Sequence, residues 1–225
     1  MEMYRFAISH DWPVLLPIVL CSILVIGVTL ERLWYFKSNS RGVKKFFAQF
    51  EKHLDRGPAE AKVWAEAKDG VVPHVAAEGL RILCEHPDRF ESLFEVASSL
   101  ASRQLYRGLT IIGTIATISP YLGLFGTVVR ILLTFGEMAN AKGGGGDSAS
   151  IMFGIGSALI ATAAGLGVAI FSVAVNNYLQ TIAEGFTKDF ELVKLLCLSA
   201  GRPAMAAQMP RSVTPISRAD HERRG

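Results

Sequence analysis

Charge, cysteine and β-patterning are what this chain has least of. Only 19% of its 225 residues are Asp, Glu, Lys or Arg, below the quarter usual for soluble domains. The net charge of +3 is small and spread along the chain, so the concentrated basic surface that a nucleic acid partner requires is missing. Cys21, Cys84 and Cys197 are the three cysteines, far apart and without ligand spacing, which argues against a disulfide framework or a zinc site. The five histidines are dispersed too. No nucleophile with its base, no carboxylate pair and no nucleotide motif can be singled out, and the glycines of "KGGGGDS" lack the strand and helix that flank a phosphate loop. The expectation is a chain that is not an enzyme and carries no metal or cofactor.

What is present is apolar length. Half of the residues are hydrophobic and the mean hydropathy is +0.32. Residues 12–30, "WPVLLPIVLCSILVIGVTL", hold no charge and suffice, at about 1.5 Å per residue, to cross roughly 30 Å of hydrocarbon. The run is too long for the core of a signal peptide, no small-residue cleavage site follows it, and "ERLWYFK" supplies an interfacial aromatic belt instead. Residues 109–135 and 151–175 form two further runs of membrane length, and together they make a hairpin. The fold class expected is all-α, an integral membrane protein with three transmembrane helices.

Orientation follows from Lys and Arg beside the spans. Arg5 alone precedes the first span, whereas Arg32, Lys37, Arg41, Lys44 and Lys45 follow it closely, so the positive-inside rule sets residues 1–11 outside and 31–108 in the cytoplasm. The 136–150 link sets Lys142 against Glu137 and Asp147, and seven Lys or Arg follow residue 175, which places the link outside and the tail inside. Within 31–108, "VKKFFAQFEKHL" puts Phe46, Phe47, Phe50 and Leu54 at helical spacing until Gly57 and Pro58. "AEAKVWAEAK" resumes a helix up to Gly70, another restarts after Pro73, and "PDRFESLFEVASSLASRQLYRGL" runs amphipathically into the second span. Residues 176–200 extend the third helix, and 201–225, rich in Pro, Ser and Arg, read as a disordered tail.

The spans themselves are interrupted by small and polar residues. Gly154, Ala158, Thr162, Gly165, Ala169 and Ser172 make one stripe on the third span, with Ser157, Ala161 and Ala164 beside it. Helices in lipid associate by close packing, so a helix small on two faces has neighbours on both; ordinary packing within one three-helix unit is one reading, and oligomerisation is the simpler account of the surplus small faces. Gly123, Gly126, Ala158 and Gly165 are the candidate packing positions. Thr127 and Thr162 lie mid-span. A membrane threonine commonly returns its hydroxyl to a carbonyl three or four residues earlier, and the other reading is a hydrated cavity. Arg130 lies five residues from the outer end of its span, close enough to snorkel; the alternative is a contact with the pore or a partner. No Asp or Glu lies inside a span, so a titrating carboxylate would have to come from another chain. Three spans without a repeated half give no midplane solute site.

"PYLGLFGTVVRI" followed by "GIGSALIATAAGLGVAI" resembles the second and third transmembrane motifs of the MotA/TolQ/ExbB proton-channel family, closest to the ExbB and TolQ type, and "ERLWYF" is similar too. The resemblance covers roughly residues 12–185. It implies a bacterial inner-membrane ring, a homopentamer, with N-terminus and glycine-rich link periplasmic and C-terminus cytoplasmic. It implies, as partner, a single-span ExbD- or TolR-like protein supplying an intramembrane aspartate, with a TonB-like protein beyond it. The role implied is the channel-forming stator of a proton-driven motor serving outer-membrane transport or envelope maintenance. The family's pore threonines match Thr127 and Thr162. Two positions depart: Ser157 in "GIGSAL" stands where the family pattern "GIAEAL" has glutamate, and Arg130 where a small residue is common. Ser157 can relay a hydrogen bond in the proton pathway but cannot hold a charge. The rival reading, a non-conducting scaffold of the same family, draws on that serine.

The charge asymmetry makes a topology prediction. An impermeant thiol reagent added outside will modify a single cysteine introduced at Gly144 and miss one at Ala67, in a chain otherwise free of cysteine. The reverse pattern would invert the orientation.

Overall fold

The computed structural model describes residues 12–140 and 148–208, and among these every regular element is helical. In chain order they are α1 (Trp12–Ser40), α2 (Val43–Leu54), α3 (Pro58–Glu66), α4 (Val71–Glu85), a single 3₁₀ turn (Pro87–Arg89), α5 (Phe90–Tyr106), α6 (Leu109–Asn140) and α7 (Ser148–Gln208). Three of these helices, α1, α6 and α7, are long and apolar enough to cross a membrane. They coincide with the three runs of the sequence and extend beyond them.

The chain divides into two compact units, one of residues 1–41 and 99–189 and one of residues 42–98 and 190–225. The first contains α1, α6 and α7 up to Asp189. Its outer surface is hydrocarbon-like, with Ile23, Leu132, Leu159 and Ile170 all more than half exposed. Inside it, Phe36 stacks on Phe186 with ring centroids 6.0 Å apart, and Val25, Ile112 and Leu179 are fully buried.

In the second unit α2 buries Phe46, Phe50 and Leu54, the apolar positions that recur at helical spacing. Phe46 stacks on Trp64 of α3 at 5.2 Å and His53 stacks on the same ring at 4.7 Å. Gly79 of α4 admits the ring of Phe94, since a Cβ there would lie 2.7 Å from Cε2 and 3.5 Å from Cys197 Sγ.

Several boundaries differ from the sequence reading: α1 runs on to Ser40 and α3 stops at Glu66, short of Gly70, and four others have a local cause. The helix expected after Pro73 begins at Val71, because a proline in the first turn has no intrahelical amide bond to lose. The helix expected to run into the second span stops at Tyr106 and restarts at Leu109, since Gly108 holds a left-handed φ of +85°. The second span's helix continues past 135 to Asn140, carried by "GEMAN" with its helix formers Glu, Met and Ala. The tail expected to be disordered from 201 is helical to Gln208, where Ala and Met again favour the helix. Residues 1–11, the core of the glycine-rich link and 209–225 lie outside the described residues.

Gly108 also marks a contact that the sequence did not advertise. Arg32, 6% exposed, donates from Nη1 to the Gln104 carbonyl at 3.1 Å and from Nη2 to Glu31 at 2.9 Å, and its guanidinium lies 5.3 Å from the Tyr35 ring centre. A Cβ at Gly108 would sit 3.1 Å from Val28 and 3.4 Å from Arg32 Nε. Gly42 also has a left-handed φ, +91°, but open space around it. Gly108→Ala is therefore expected to lower the thermal midpoint in detergent more than Gly42→Ala, which pays only the left-handed backbone cost of about 1 kcal/mol. Equal shifts would remove the packing role of Gly108.

Candidate functional site

Gly123 and Gly165 set the geometry of the α6–α7 hairpin. A Cβ on Gly165 would lie 2.6 Å from the Ser119 carbonyl oxygen and 2.9 Å from Gly123 Cα, and a Cβ on Gly123 would lie 3.1 Å from the Ala161 carbonyl oxygen and Thr162 Cα. Backbone meets backbone here, so only glycine fits at Gly165. Gly126 is buried, as are Ala158 and Ala161. Gly154, Gly165, Ala169 and Ser172 of the long stripe, and Ser157 of the neighbouring one, are buried too. Of the two readings of the small faces, these contacts fit packing among the chain's own helices. The reason is that α6 contributes a glycine of its own at the closest approach.

The two candidate threonines behave differently. Thr127 donates its hydroxyl to the Leu124 carbonyl at 2.6 Å, a bond within its own helix. Thr162 reaches across the hairpin and donates to the Gly123 carbonyl at 3.3 Å, which the glycine contact makes possible by bringing that carbonyl within reach. Both are half-buried. Pro120 remains inside the continuous α6, although its missing N–H deprives a carbonyl one turn back of a donor.

Arg130 overturns the snorkelling expectation. Its side chain is 5% exposed and its Nε donates to Ser157 Oγ at 3.1 Å; Ser157 in turn donates to the Gly154 carbonyl at 3.0 Å. Thr134, 4% exposed, donates to the Arg130 carbonyl at 2.9 Å, and its side chain fills the space that a Cβ on Gly154 would need. The guanidinium turns inward because the antiparallel register set at Gly123 and Gly165 brings Ser157 opposite it, and a hydrogen-bonded site costs less than a bare charge near hydrocarbon. The two departures from the family pattern therefore touch each other. Counting outward along both helices from the glycine contact was the signal that could have paired them.

Two polar groups escaped the sequence reading altogether. Ser119, fully buried, and Asn176 of α7 each keep a side-chain oxygen that is buried without a hydrogen-bond partner among the described residues. Asn176 faces Gly113 of α6, where a Cβ would lie 3.7 Å from its amide nitrogen.

A family model described as the MotA/TolQ/ExbB proton channel family matches residues 67–192. A Synechocystis protein named ExbB-like 1 is 32% identical over 176 residues, covering 75% of this chain and 67% of the relative. The biopolymer transport protein ExbB of Aquifex aeolicus is 41% identical over 103 residues, 44% of this chain and 65% of the relative. An ExbB homolog of Methanothermobacter thermautotrophicus is 29% identical over 167 residues, 73% of this chain and 58% of the relative. The chain thus spans about two thirds or less of the length of these three.

Ser157→Ala removes an acceptor from a buried guanidinium and is expected to cost about 1–3 kcal/mol. In a double-mutant cycle with Arg130→Met, measured by thermal or denaturant unfolding in detergent, the two losses will not add, because both break one contact. Strict additivity would mean that the bond contributes nothing.

Proposed function

The chain belongs to the MotA/TolQ/ExbB proton channel family, and from that premise we propose that it is the channel-forming subunit of a proton-driven stator in a bacterial inner membrane. In this reading several copies, five by the family pattern, surround one-span partner helices that supply the aspartate absent from its own spans. Protons taken up by that aspartate move the partner, and through it a TonB-like protein or the envelope itself. One proton falling through 100 mV releases about 2.3 kcal/mol, so each mechanical event of any size consumes several.

The observation that carries the proposal is the bond from Thr162 to the Gly123 carbonyl. It anchors a hydroxyl mid-span, half-buried, where its lone pairs remain able to accept from water or from a protonated carboxyl. Thr127, bonded back to Leu124, offers only lone pairs as well. Ser157 is committed to Arg130, so in this chain it acts as a support for the arginine rather than as a relay.

One observation favours a second reading. A guanidinium held beside Ser157, where relatives of the ExbB and TolQ type have a glutamate, puts fixed positive charge in the span and opposes the approach of a proton. A non-conducting scaffold with the same partners would tolerate that charge.

Copurification and native mass spectrometry test the assembly: a ring holding a one-span protein with a membrane aspartate supports the proposal, and a monomer contradicts it. Within that complex, Thr162→Val nearly preserves shape while removing the hydroxyl, so it is expected to abolish most partner-dependent proton flux into liposomes without changing complex recovery. Thr127→Val will be similar or milder. Wild-type flux in both variants would leave these threonines as packing residues.

A further inference from the structure

A polar groove lies between the first turns of α6 and the stretch of α7 beyond the membrane-length run. Its volume is about 360 Å³, and Thr110, Gly113, Thr114, Thr117, Asn176 and Gln180 are among the residues that line it. None of the described residues lining it is charged.

Its hydrogen-bonding groups are neutral, and acceptors are in good supply. Thr114 donates to the Thr110 carbonyl at 2.8 Å and Thr117 to the Gly113 carbonyl at 3.0 Å, so both hydroxyl protons are spent on the helix and the lone pairs are left over. Asn176 adds an amide oxygen that is buried without a partner among the described residues. The amides of Asn176 and Gln180 and the Tyr106 hydroxyl bring donors as well, but a groove without a cation is a weak site for a phosphate or a carboxylate, and an apolar chain in it would strand the amide oxygen. Water satisfies it, and the volume has room for roughly ten molecules at about 30 Å³ each. The lone pairs of Thr114 and Thr117 and the Asn176 amide oxygen can accept from such water and so stabilise an excess proton on it.

The groove also shares a face with the mid-span threonine. Gln180 follows Thr162 by five helical turns and Asn176 by nearly four, so all three lie along one side of α7, about 21–27 Å apart at 1.5 Å per residue. We propose that this groove is the hydrated port through which protons pass between the ring interior and the cytoplasm, with Asn176 holding its water. The inference rests on the stator reading and adds to it the port and the residue that keeps it wet.

Two measurements test it. The first needs no conduction. In a chain with Cys21, Cys84 and Cys197 replaced by serine, Thr114→Cys is expected to react with a cationic methanethiosulfonate from the cytoplasmic side about tenfold faster or more than Ile111→Cys, which is exposed on the apolar surface; the margin reflects access of the charged reagent through water. Equal rates would overturn the port. The second is pH-gradient decay in liposomes carrying the complete complex. Asn176→Leu is expected to slow it about tenfold, as removal of one hydrogen-bonding group from a barrier does. Asn176→Asp should keep the flux but make it newly dependent on cytoplasmic pH near the carboxylate range. Unchanged flux and pH profile in both variants, at unchanged complex recovery, would overturn the role of Asn176 while leaving the stator reading intact. If the wild-type complex itself does not conduct, the stator reading fails, and the port with it.

Discussion

Everything distinctive in the membrane part of this chain depends on one approach of backbone to backbone, Gly123 against Gly165 and the Ser119 carbonyl. Lipid does not push helices together, so such contact is made by van der Waals packing and by polar bonds across it. With no side chain between them, the two helices settle in a register that leaves little freedom elsewhere. Thr162 then reaches the Gly123 carbonyl, Arg130 meets Ser157, and Thr134 occupies the hollow at Gly154. Each is a consequence of where the glycines touch.

The arginine is the most expensive consequence. A buried guanidinium must be matched by hydrogen bonds, and truncating one partner of such a site costs more than the bond contributes net. Ser157 accepts from Arg130 and donates its own proton to the Gly154 carbonyl, so its hydroxyl proton is already engaged. A serine in place of a glutamate therefore does not leave a gap in the hairpin. It gives the buried guanidinium a hydrogen-bonding support.

Much of the fold was legible because hydrophobic length and charge asymmetry are local. The charge-free stretch at 12–30 and the runs from 109 and 151 need no tertiary information to be read as helices, and the spacing of Phe46, Phe50 and Leu54 already gives the buried face of α2. Exact boundaries were less legible: Gly108 ends a helix through its left-handed φ, while Pro73 does not delay one. The site was legible by residue type but not by pairing. Thr127 and Thr162 look equivalent in sequence, yet one bonds inside its helix and the other across the hairpin. Arg130 looked like a residue that could reach the interface, and only the register shows that Ser157 lies closer. Asn176 gave no signal at all, because a polar residue at the end of an apolar run is what any interfacial segment contains.

The central claim is that this hairpin conducts protons when a partner supplies the carboxylate. The most direct measurement is the proton current across liposomes containing the purified chain with its one-span partner, driven by a potassium diffusion potential. The account predicts a current that requires both proteins and vanishes when the partner's membrane aspartate is replaced by asparagine. A complex that assembles fully and carries no current would contradict it and leave a scaffold in its place.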